Sequence, residues 1–433
     1  MIFILLFTAL LIYLFIVYKR AKKYKYDTSK DYVYNLDKHL IYELKTTNKT
    51  FILEDNYKDF DSLFLKINLS FNINSYFFKP FIKIKDTKHF FEYGARGVRY
   101  LNISYLKEKS NELILKNLSL NNNSLSIYGY KNNINLSQKI LILAPHADDA
   151  EIAAFGLYKT AKDITIVTTT AGEQGSCNYS DLYNNDRTAN SLKKAELRVL
   201  DATTIPLLGN VNYENSITLG YFGGSLKWMN KNRDKEATSN ISGIDNMNLF
   251  RKVSHSNIKL DLETKPIYSS FLNDLEEILK QVKPDIIITP HPAIDSHEDH
   301  KYTTQITIEA MKNTKAISKL LLYTNHLELS ESYPLGGMHS AVSIPPNTKE
   351  FYYDSIYSFT LNSNLQIDKF FALEAMHDLR DSLIYISTKK AFKHLNKMFK
   401  RQVTGKDKSY YKRAIRANEL FFVVKNENID KLK

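Results

Sequence analysis

The chain has 433 residues and a single cysteine, Cys177. No intramolecular disulfide can form and a cysteine-only zinc cluster is excluded, so any metal must sit on His, Asp and Glu. Acidic residues are the minority charge, 47 Asp plus Glu against 59 Lys plus Arg, for a net charge of +12. That surplus suits an anionic phospholipid surface, a phosphorylated glycan or nucleic acid, and equally suits dispersed solubilising lysines. No nucleic-acid recognition motif accompanies it, so nucleic acid is not an expected partner. There is no internal repeat, and 43% hydrophobic with 12% aromatic residues is enough to build a core, in a length that fits two domains.

Residues 2–18 contain no charged side chain, and at about 1.5 Å per residue they nearly cross a ~30 Å hydrocarbon layer. A cleaved leader wants cationic residues ahead of its apolar run and an Ala-x-Ala-like site behind it. Here only the terminal amine precedes the run, while Lys19, Arg20, Lys22, Lys23 and Lys25 follow it. The reading is a transmembrane anchor over residues 1–18 and a basic juxtamembrane linker over 19–30, with everything after the anchor on the cytoplasmic side. A buried core helix or an atypical leader is the competing reading.

Beyond the linker, Leu65, Ile67, Leu69, Phe71 and Ile73 alternate with Lys66, Asn68, Ser70 and Asn72, a period of two that predicts a half-buried strand reaching Ile73. Similar short runs follow near Ile82, Val98, Leu113 and Leu125, punctuated by Gly94, Gly97, an Asn-rich stretch and Gly129. Residues 31–135 therefore read as an antiparallel β-sandwich, an accessory domain that binds carbohydrate or is purely structural. At Ile140–Ala144 the alternation gives way to a continuous apolar run, the mark of a strand buried on both faces. Strands at 140–144, 164–169, 285–289 and 320–323 alternate with helices at 151–162, 191–201, 270–282 and 301–313, and a long loop-rich insert runs to about 265. Residues 136–433 read as one α/β domain with a doubly wound, mainly parallel sheet and a basic C-terminal segment, and ligands belong at the carboxyl ends of its strands.

The first of these strands runs into Ala144-Pro145-His146-Ala147-Asp148-Asp149-Ala150-Glu151, and the third ends in His291-Pro292-Ala293-Ile294-Asp295-Ser296-His297-Glu298-Asp299-His300. One imidazole and two adjacent carboxylates thus meet two histidines spaced three apart, which share a face on a helical turn. Asp149 is placed to ligate beside His146 while Asp148 stays free to act on water, and His297 with His300 supplies one ligand and one further acid or cationic group. Two His and one Asp with an open fourth position form a hydrolytic zinc arrangement.

These motifs resemble those of the PIG-L / LmbE-like zinc-dependent de-N-acetylases, which read roughly P-H-P-D-D-E after a first strand and H-P-D-H after a later one. Weaker similarity runs through Thr168–Glu173, Lys193–Leu197, Leu219–Gly224 and Ala372–His377, so that the likeness covers about residues 138–380. The resemblance implies a Rossmann-like fold and Zn2+ on His146, Asp149 and His300. It further implies Asp148 as general base, His297 stabilising the oxyanion and protonating the amine, and Asp299 orienting His297. The expected enzyme is a zinc-dependent amidohydrolase that removes the N-acetyl group of an amino sugar. With the anchor, this becomes a single-pass protein of the bacterial inner membrane acting in the cytoplasm on a free or lipid-linked envelope glycan, such as lipopolysaccharide core or O-antigen. Rival readings are hydrolysis of another amide, such as a thiol-sugar conjugate, and a catalytically inactive membrane-anchored glycan-binding scaffold.

The pattern departs from the family's in four places. Ala147 replaces the usual proline and Ala150 shifts the following acid to Glu151, neither at an implied ligand. The family's arginine three places before the helix glutamate is matched by Lys193, and Gly223 stands where an acid is expected. A lysine cannot reproduce an arginine's two-pronged grip, so the sugar contacts, for which Lys193, Glu173 and His326 are the candidates, should differ.

His291 and Asp295 stand beside the second motif either as supports for the ligands or in local loop hydrogen bonds. His377, on a late helix, either lines the pocket or is structural. Cys177 has no base beside it and reads as an inert thiol. The basic run Lys389–Arg401 places Phe392, Leu395, Met398 and Phe399 at helical spacing, which suits a membrane surface and equally a helix packed on the domain.

Overall fold

The computed structural model describes residues 2–47, 49–175, 180–377, 379, 388–404 and 409–432, which leaves Cys177 outside the described residues. The chain divides into two compact units, one of residues 1–131, 327–350 and 383–418, the other of 132–326, 351–382 and 419–433. The first unit thus includes two stretches that the sequence placed in the α/β domain.

In the first unit, helix α1 (Ile2–Ala21) carries no charge before Lys19 and buries none of its residues. It is long and apolar enough to cross a membrane. The segment behind it is no free tether. Tyr24 and Tyr32 are buried, the Lys25 N–H donates to the Leu329 carbonyl at 3.1 Å, and the Tyr26 and Tyr32 hydroxyls donate to Glu92 Oε1 at 2.9 and 2.6 Å. Arg99 Nε donates to the other oxygen of Glu92 at 3.2 Å, and its remaining nitrogens reach the carbonyls of Thr28, Lys30 and Val98. A buried carboxylate–guanidinium pair therefore pins the residues expected to form a linker.

Strands Leu40–Lys45, Ser124–Tyr130, Ser62–Ser70 and Gly97–Asn102 pair antiparallel in that order, with Ser119–Leu120 also on Ser62–Ser70. Thr87–Phe90, Phe81–Ile84 and Ile114–Lys116 make a second antiparallel sheet, and Thr50–Ile52 pairs with Ser110–Glu112. Leu63, Leu65, Ile67 and Leu69 share one core with Phe51, Ile82 and Ile84. The antiparallel domain expected here is thus split into three sheets about a common core rather than two facing ones. Its central strand stops at Ser70, short of Ile73. Asn72 turns the chain: its Oδ1 accepts the Asn74 N–H at 2.9 Å and its carbonyl accepts from Ser75, so that Phe71 and Ile73 leave the core.

In the second unit, β1 (Lys139–Ala144), β2 (Asp163–Thr170), β3 (Ser216–Tyr221), β4 (Ile286–Pro290) and β5 (Lys319–Tyr323) run parallel in the order β3-β2-β1-β4-β5. β6 (Ser355–Thr360) and β7 (Asn418–Val424) extend the sheet beyond β5, with β7 antiparallel to it, so the sheet is mixed. β3 lies inside the expected loop-rich insert. Its sequence Ser-Ile-Thr-Leu-Gly-Tyr alternates apolar residues with small polar ones and glycine, and all six residues are buried.

Helices α2 (Asp149–Thr160) and α4 (Glu298–Thr314) follow the loops after β1 and β4, and α3 (Arg187–Thr204) is capped by Asp186, which accepts the Ala189 N–H at 3.1 Å. α2 is kinked at Ala154. The N–H groups of Gly156 and Leu157 donate to the Glu419 carboxylate at 2.8 and 2.9 Å, and Lys369 Nζ pairs with it at 2.8 Å. A buried ion pair thereby fixes the helix that carries Asp149.

Candidate metal centre and active site

All five parallel strands deliver polar groups beyond their carboxyl ends, where a sheet of this kind places its ligands. β1 leads to His146, Asp148 and Asp149; β2 to Glu173; β3 to the backbone of Gly223 and Gly224; β4 to Asp295, His297, Asp299 and His300; β5 to Asn325 and His326.

At the centre, Asp149 Oδ2 lies 3.1 Å from His146 Nδ1 and 3.1 Å from His300 Nε2, and the two ring nitrogens are 3.4 Å apart. A tetrahedral site with arms of about 2.0–2.1 Å has edges of about 3.3–3.4 Å, so these three donor atoms form one face of such a site. Each is held from behind. Asn325 Nδ2 donates to Asp149 Oδ1 at 2.7 Å, Asp295 Oδ2 stands 3.1 Å from His300 Nδ1, and Asp299 Oδ2 stands 3.3 Å from His146 Nε2 while accepting the Gly224 N–H at 2.6 Å.

Three fully buried carboxylates, Asp149, Asp295 and Asp299, therefore surround two imidazoles. Asp299 Oδ1 is buried with no hydrogen-bond partner among the described residues. Such a cluster is short of positive charge, and a divalent cation on two nitrogens and one oxygen meets that deficit. Without a cation, protons fill the role. Burial opposes a charge on His146, yet its hydrogen bonds to Asp149 and Asp299 raise it to about 9. Burial likewise opposes a charge on His300, and Asp149 and Asp295 hold it well above the ordinary imidazole value. Asp149, which burial alone would raise, is held well below the carboxylate range by the same two rings.

His297 caps α4: its Nδ1 accepts the Asp299 N–H at 3.3 Å, and its own N–H donates to Asp295 Oδ1 at 3.0 Å. That bond assigns the ring proton to Nε2. Burial, reinforced by the neighbouring charges of His146 and His300, lowers its pKa to about 4, so it is a neutral donor at pH 7. Its ring stands edge-on to His146 at 4.7 Å between centroids. The donor atoms of His146, His297 and His300 gather within 4.8 Å of one another, as do those of Asp149, His300 and His326. Asp299 reaches His297 only through its backbone, and its carboxylate serves His146 instead of the expected partner.

Of the expected sugar contacts, His326 stands at the cluster, its ring 5.2 Å from His300 and 5.7 Å from His297. Glu173 is fully buried and holds the glycine turn, accepting from Gly223 N–H at 2.9 Å and Ser239 Oγ at 2.8 Å. Lys193 pairs with Glu196 on the exposed side of α3. It is Arg198, on the opposite side, that enters the site, donating to Asp148 Oδ1 at 3.3 Å. Gly172 makes room for it, since its φ is +67° and a Cβ there would collide with Arg198 Nε. His291 sits edge-on to Phe351 and Phe422, its pKa lowered to about 3 by burial, and His377 Nδ1 pairs with Asp201 at 2.6 Å. Asp295 supports a ligand and ties the loop through Asn325 and His326 N–H groups as well.

Fold and site together define an α/β domain with a metal-capable His/Asp group at the carboxyl edge of a largely parallel sheet. Residues 141–311, a stretch that holds both motifs, match the family model described as PIG-L: GlcNAc-PI de-N-acetylase. Among solved structures, the chain is similar to the N,N'-diacetylchitobiose deacetylase of Pyrococcus horikoshii, at 17% identity and a TM-score of 0.35, over 67% of this chain and 85% of that one. It is similar as well to the zinc-inhibited form of teicoplanin deacetylase Orf2, at 15% identity and a TM-score of 0.34, over 67% and 99%. A third is the 4-carboxy-2-hydroxymuconate hydratase GalB of Pseudomonas putida, at 12% identity and a TM-score of 0.35, over 66% and 96%. Comparison with curated proteins gives no match.

Sequence reasoning missed Arg198 and Asn325. The signal for the first was periodicity: Ala195, Val199 and Ala202 mark the buried face of α3, and Arg198 falls on it while Lys193 does not. For Asn325 it was position, two residues beyond β5 at the edge where ligands gather.

Proposed function

We propose that the chain is a zinc-dependent amidohydrolase that removes the acetyl group from an N-acetylated amino sugar of a bacterial envelope glycan, such as lipopolysaccharide core, O-antigen or a related lipid-linked glycan. In this reading residues 1–18 anchor it in the inner membrane, the hydrolase works in the cytoplasm, and the β-rich part presents the glycan. The observation that carries it is the triangle of His146, Asp149 and His300 donors, with edges of 3.1, 3.1 and 3.4 Å, inside the stretch that matches a de-N-acetylase family.

Zinc at this triangle supplies Lewis acidity toward the amide carbonyl and toward water. The side chains do the rest. Asp148, steadied by Arg198, takes a proton from the attacking water as its oxygen adds to the carbonyl carbon. His297, with its proton on Nε2, donates a hydrogen bond to the carbonyl oxygen as negative charge grows there. The C–N bond then breaks, the sugar nitrogen takes up the proton that Asp148 received, and acetate and free amine leave. Asp295 and Asp299 keep the two imidazoles aimed throughout.

The test supplies the zinc-loaded protein with N-acetylhexosamine glycans, free and lipid-linked, and measures acetate and free amine. Asp148→Asn should keep its metal and lose ~10²–10⁴ in turnover. Acetate at the wild-type rate from that variant overturns the base assignment. No acetate from any N-acetylated glycan with the wild type overturns the hydrolase in favour of the inactive scaffold.

A further inference from the structure

The first unit leaves two sets of large apolar side chains uncovered, and both stand beside α1. The first is the turn at which the central strand ends early: Phe71, Ile73 and Phe78 are 57%, 59% and 61% exposed. The ring of Phe77, in the same turn, stacks on Tyr13 of α1 with centroids 4.2 Å apart, and Arg20 of α1 donates to the Phe77 carbonyl. Tyr13 lies five residues before Tyr18, the last residue of the apolar run, which is about 8 Å along the helix axis. If α1 crosses a bilayer, this turn is level with hydrocarbon.

The second set lies on the basic helix Thr388–Thr404, where Phe392, Leu395 and Phe399 are 68%, 62% and 69% exposed at the i, i+3, i+7 spacing of one face. The helix carries five lysines and one arginine and no acid. On a helical wheel Lys397, Lys400 and Arg401 fall on the side away from the three apolar residues. Its end is tied to the end of α1, since Arg20 Nε donates to the Val403 carbonyl at 3.3 Å. Just past the end of α1 opens a recess whose lining includes Lys23, Lys79, Lys412 and Arg413, with Glu331 3.7 Å from Arg413.

We infer that the first unit seats itself on an anionic lipid bilayer through a second surface beside α1, formed by the turn Phe71–Phe78 and the basic helix Thr388–Thr404. Phe71, Ile73, Phe78, Phe392, Leu395 and Phe399 enter the outer edge of the hydrocarbon, and the cations of the helix and the recess meet phosphate headgroups. Amphipathic helices with Phe and Leu on one face and Lys on the other bind bilayers in this way, and a polybasic segment beside a span favours anionic lipid. The bilayer is the occupant because the apolar faces adjoin the membrane helix and the helix that carries one of them has cations and no acid in its sequence. This rests on α1 being a span, and its consequence is that the β-rich unit lies against the membrane rather than hanging from it.

The test uses the full chain with Trp228→Phe, which removes the sole tryptophan, reconstituted in vesicles of bromine-labelled phosphatidylcholine with or without phosphatidylglycerol. Single tryptophans are placed at Phe7, Phe78, Phe392 and Leu395, with Ile317→Trp, at a residue 80% exposed in the other unit, as the control. The expectation is that probes at 78, 392 and 395 are quenched within about twofold of the probe at 7 and at least fivefold more than the control. Quenching at 392 and 395 should rise about twofold or more with phosphatidylglycerol. A probe at 7 that is not quenched overturns the span itself. Quenching at 7 without quenching at 78, 392 and 395 overturns this second surface and leaves the span standing. Blue-shifted emission at 392 that bromine does not quench assigns the face to a second copy of the chain and overturns the lipid assignment. Equal quenching with and without phosphatidylglycerol overturns the anionic requirement.

Discussion

Each unit buries a cluster of charge, and the two are built on opposite plans. In the first, Glu92 accepts from two tyrosine hydroxyls and from Arg99, and the remaining nitrogens of Arg99 end on backbone carbonyls. Every group has its partner inside the protein, so the cluster is closed and its role is to hold residues 26–32 in place. In the second, Asp149 and two imidazoles turn donor atoms toward one point, Asp295 and Asp299 stand behind the rings, and Asp299 Oδ1 has no hydrogen-bond partner among the described residues. Burial of charge alone therefore does not mark a functional site. What marks one is convergence on a point that the protein's own groups leave unsatisfied.

Removing one member from each cluster breaks the comparison most sharply. His300→Ala should release the metal and reduce activity ~10³-fold or more, because a three-ligand site loses a third of its donors. Unfolding of the metal-free protein should become easier as well, since Asp149 and Asp295 lose the protonated ring that balances them. Arg99→Met leaves Glu92 buried without its counter-ion, so it should cost about 3–5 kcal/mol of stability and leave metal content unchanged. Metal analysis beside denaturant unfolding reads both. Full metal retention in His300→Ala, or metal loss in Arg99→Met, would show that the two clusters are not different in kind.

A milder cut keeps the ligands and removes a support. Asp295→Asn retains the shape beside His300 but not the charge 3.1 Å from its Nδ1, and metal affinity should fall ~10–100-fold with the fold intact. The open cluster should also answer to pH. Without metal, His146 keeps its proton up to about pH 9, above the ordinary imidazole value of 6.5. Metal must displace that proton at any lower pH, and one from His300, which Asp149 and Asp295 also hold above the ordinary value, so apparent affinity should rise with pH by up to about tenfold per unit for each proton displaced. Chelator competition from pH 6.5 to 9.5 measures it. A flat profile would mean that His146 binds as an already neutral ring.

Much of this arrangement is legible from residue order. The apolar run at Ile140–Ala144, followed at once by His146, Asp148 and Asp149, announces a strand end with ligands, because parallel strands are buried on both faces and sites sit at their carboxyl ends. The same logic reads His297 and His300 after β4. It fails where one face of a buried strand carries only small polar residues and glycine. All of Ser216–Tyr221 is buried, yet its mixture of small polar residues and glycine looks like loop. It also fails where a turn overrides alternation, as at Asn72, whose side chain ends a strand that Phe71 and Ile73 would otherwise continue. Long-range pairings were out of reach altogether. Nothing in the spacing of Glu419 and Lys369 indicates that they would pair and cap a kink in α2.

The smallest expected effect decides which base serves the site on α3. Alignment to a family pattern points to Lys193, whereas the helix turns that residue outward against Glu196, and such exposed pairs contribute little. Arg198 faces inward to Asp148, with Gly172 cleared to admit it. Lys193→Ala should leave kcat and KM within about twofold of wild type, the range of most surface changes. Arg198→Met should lower kcat ~10–100-fold, as expected when the group that positions a general base is lost. Arg198→Lys should recover only part of this, because an ammonium lacks the fixed plane of the guanidinium. Metal content and unfolding midpoint, measured on all three, separate a positioning role from simple loss of packing. If Lys193→Ala raised KM severalfold while Arg198→Met did not touch kcat, the substrate would be gripped from the outer side of α3, and the site would extend to a face that the buried cluster gives no reason to include.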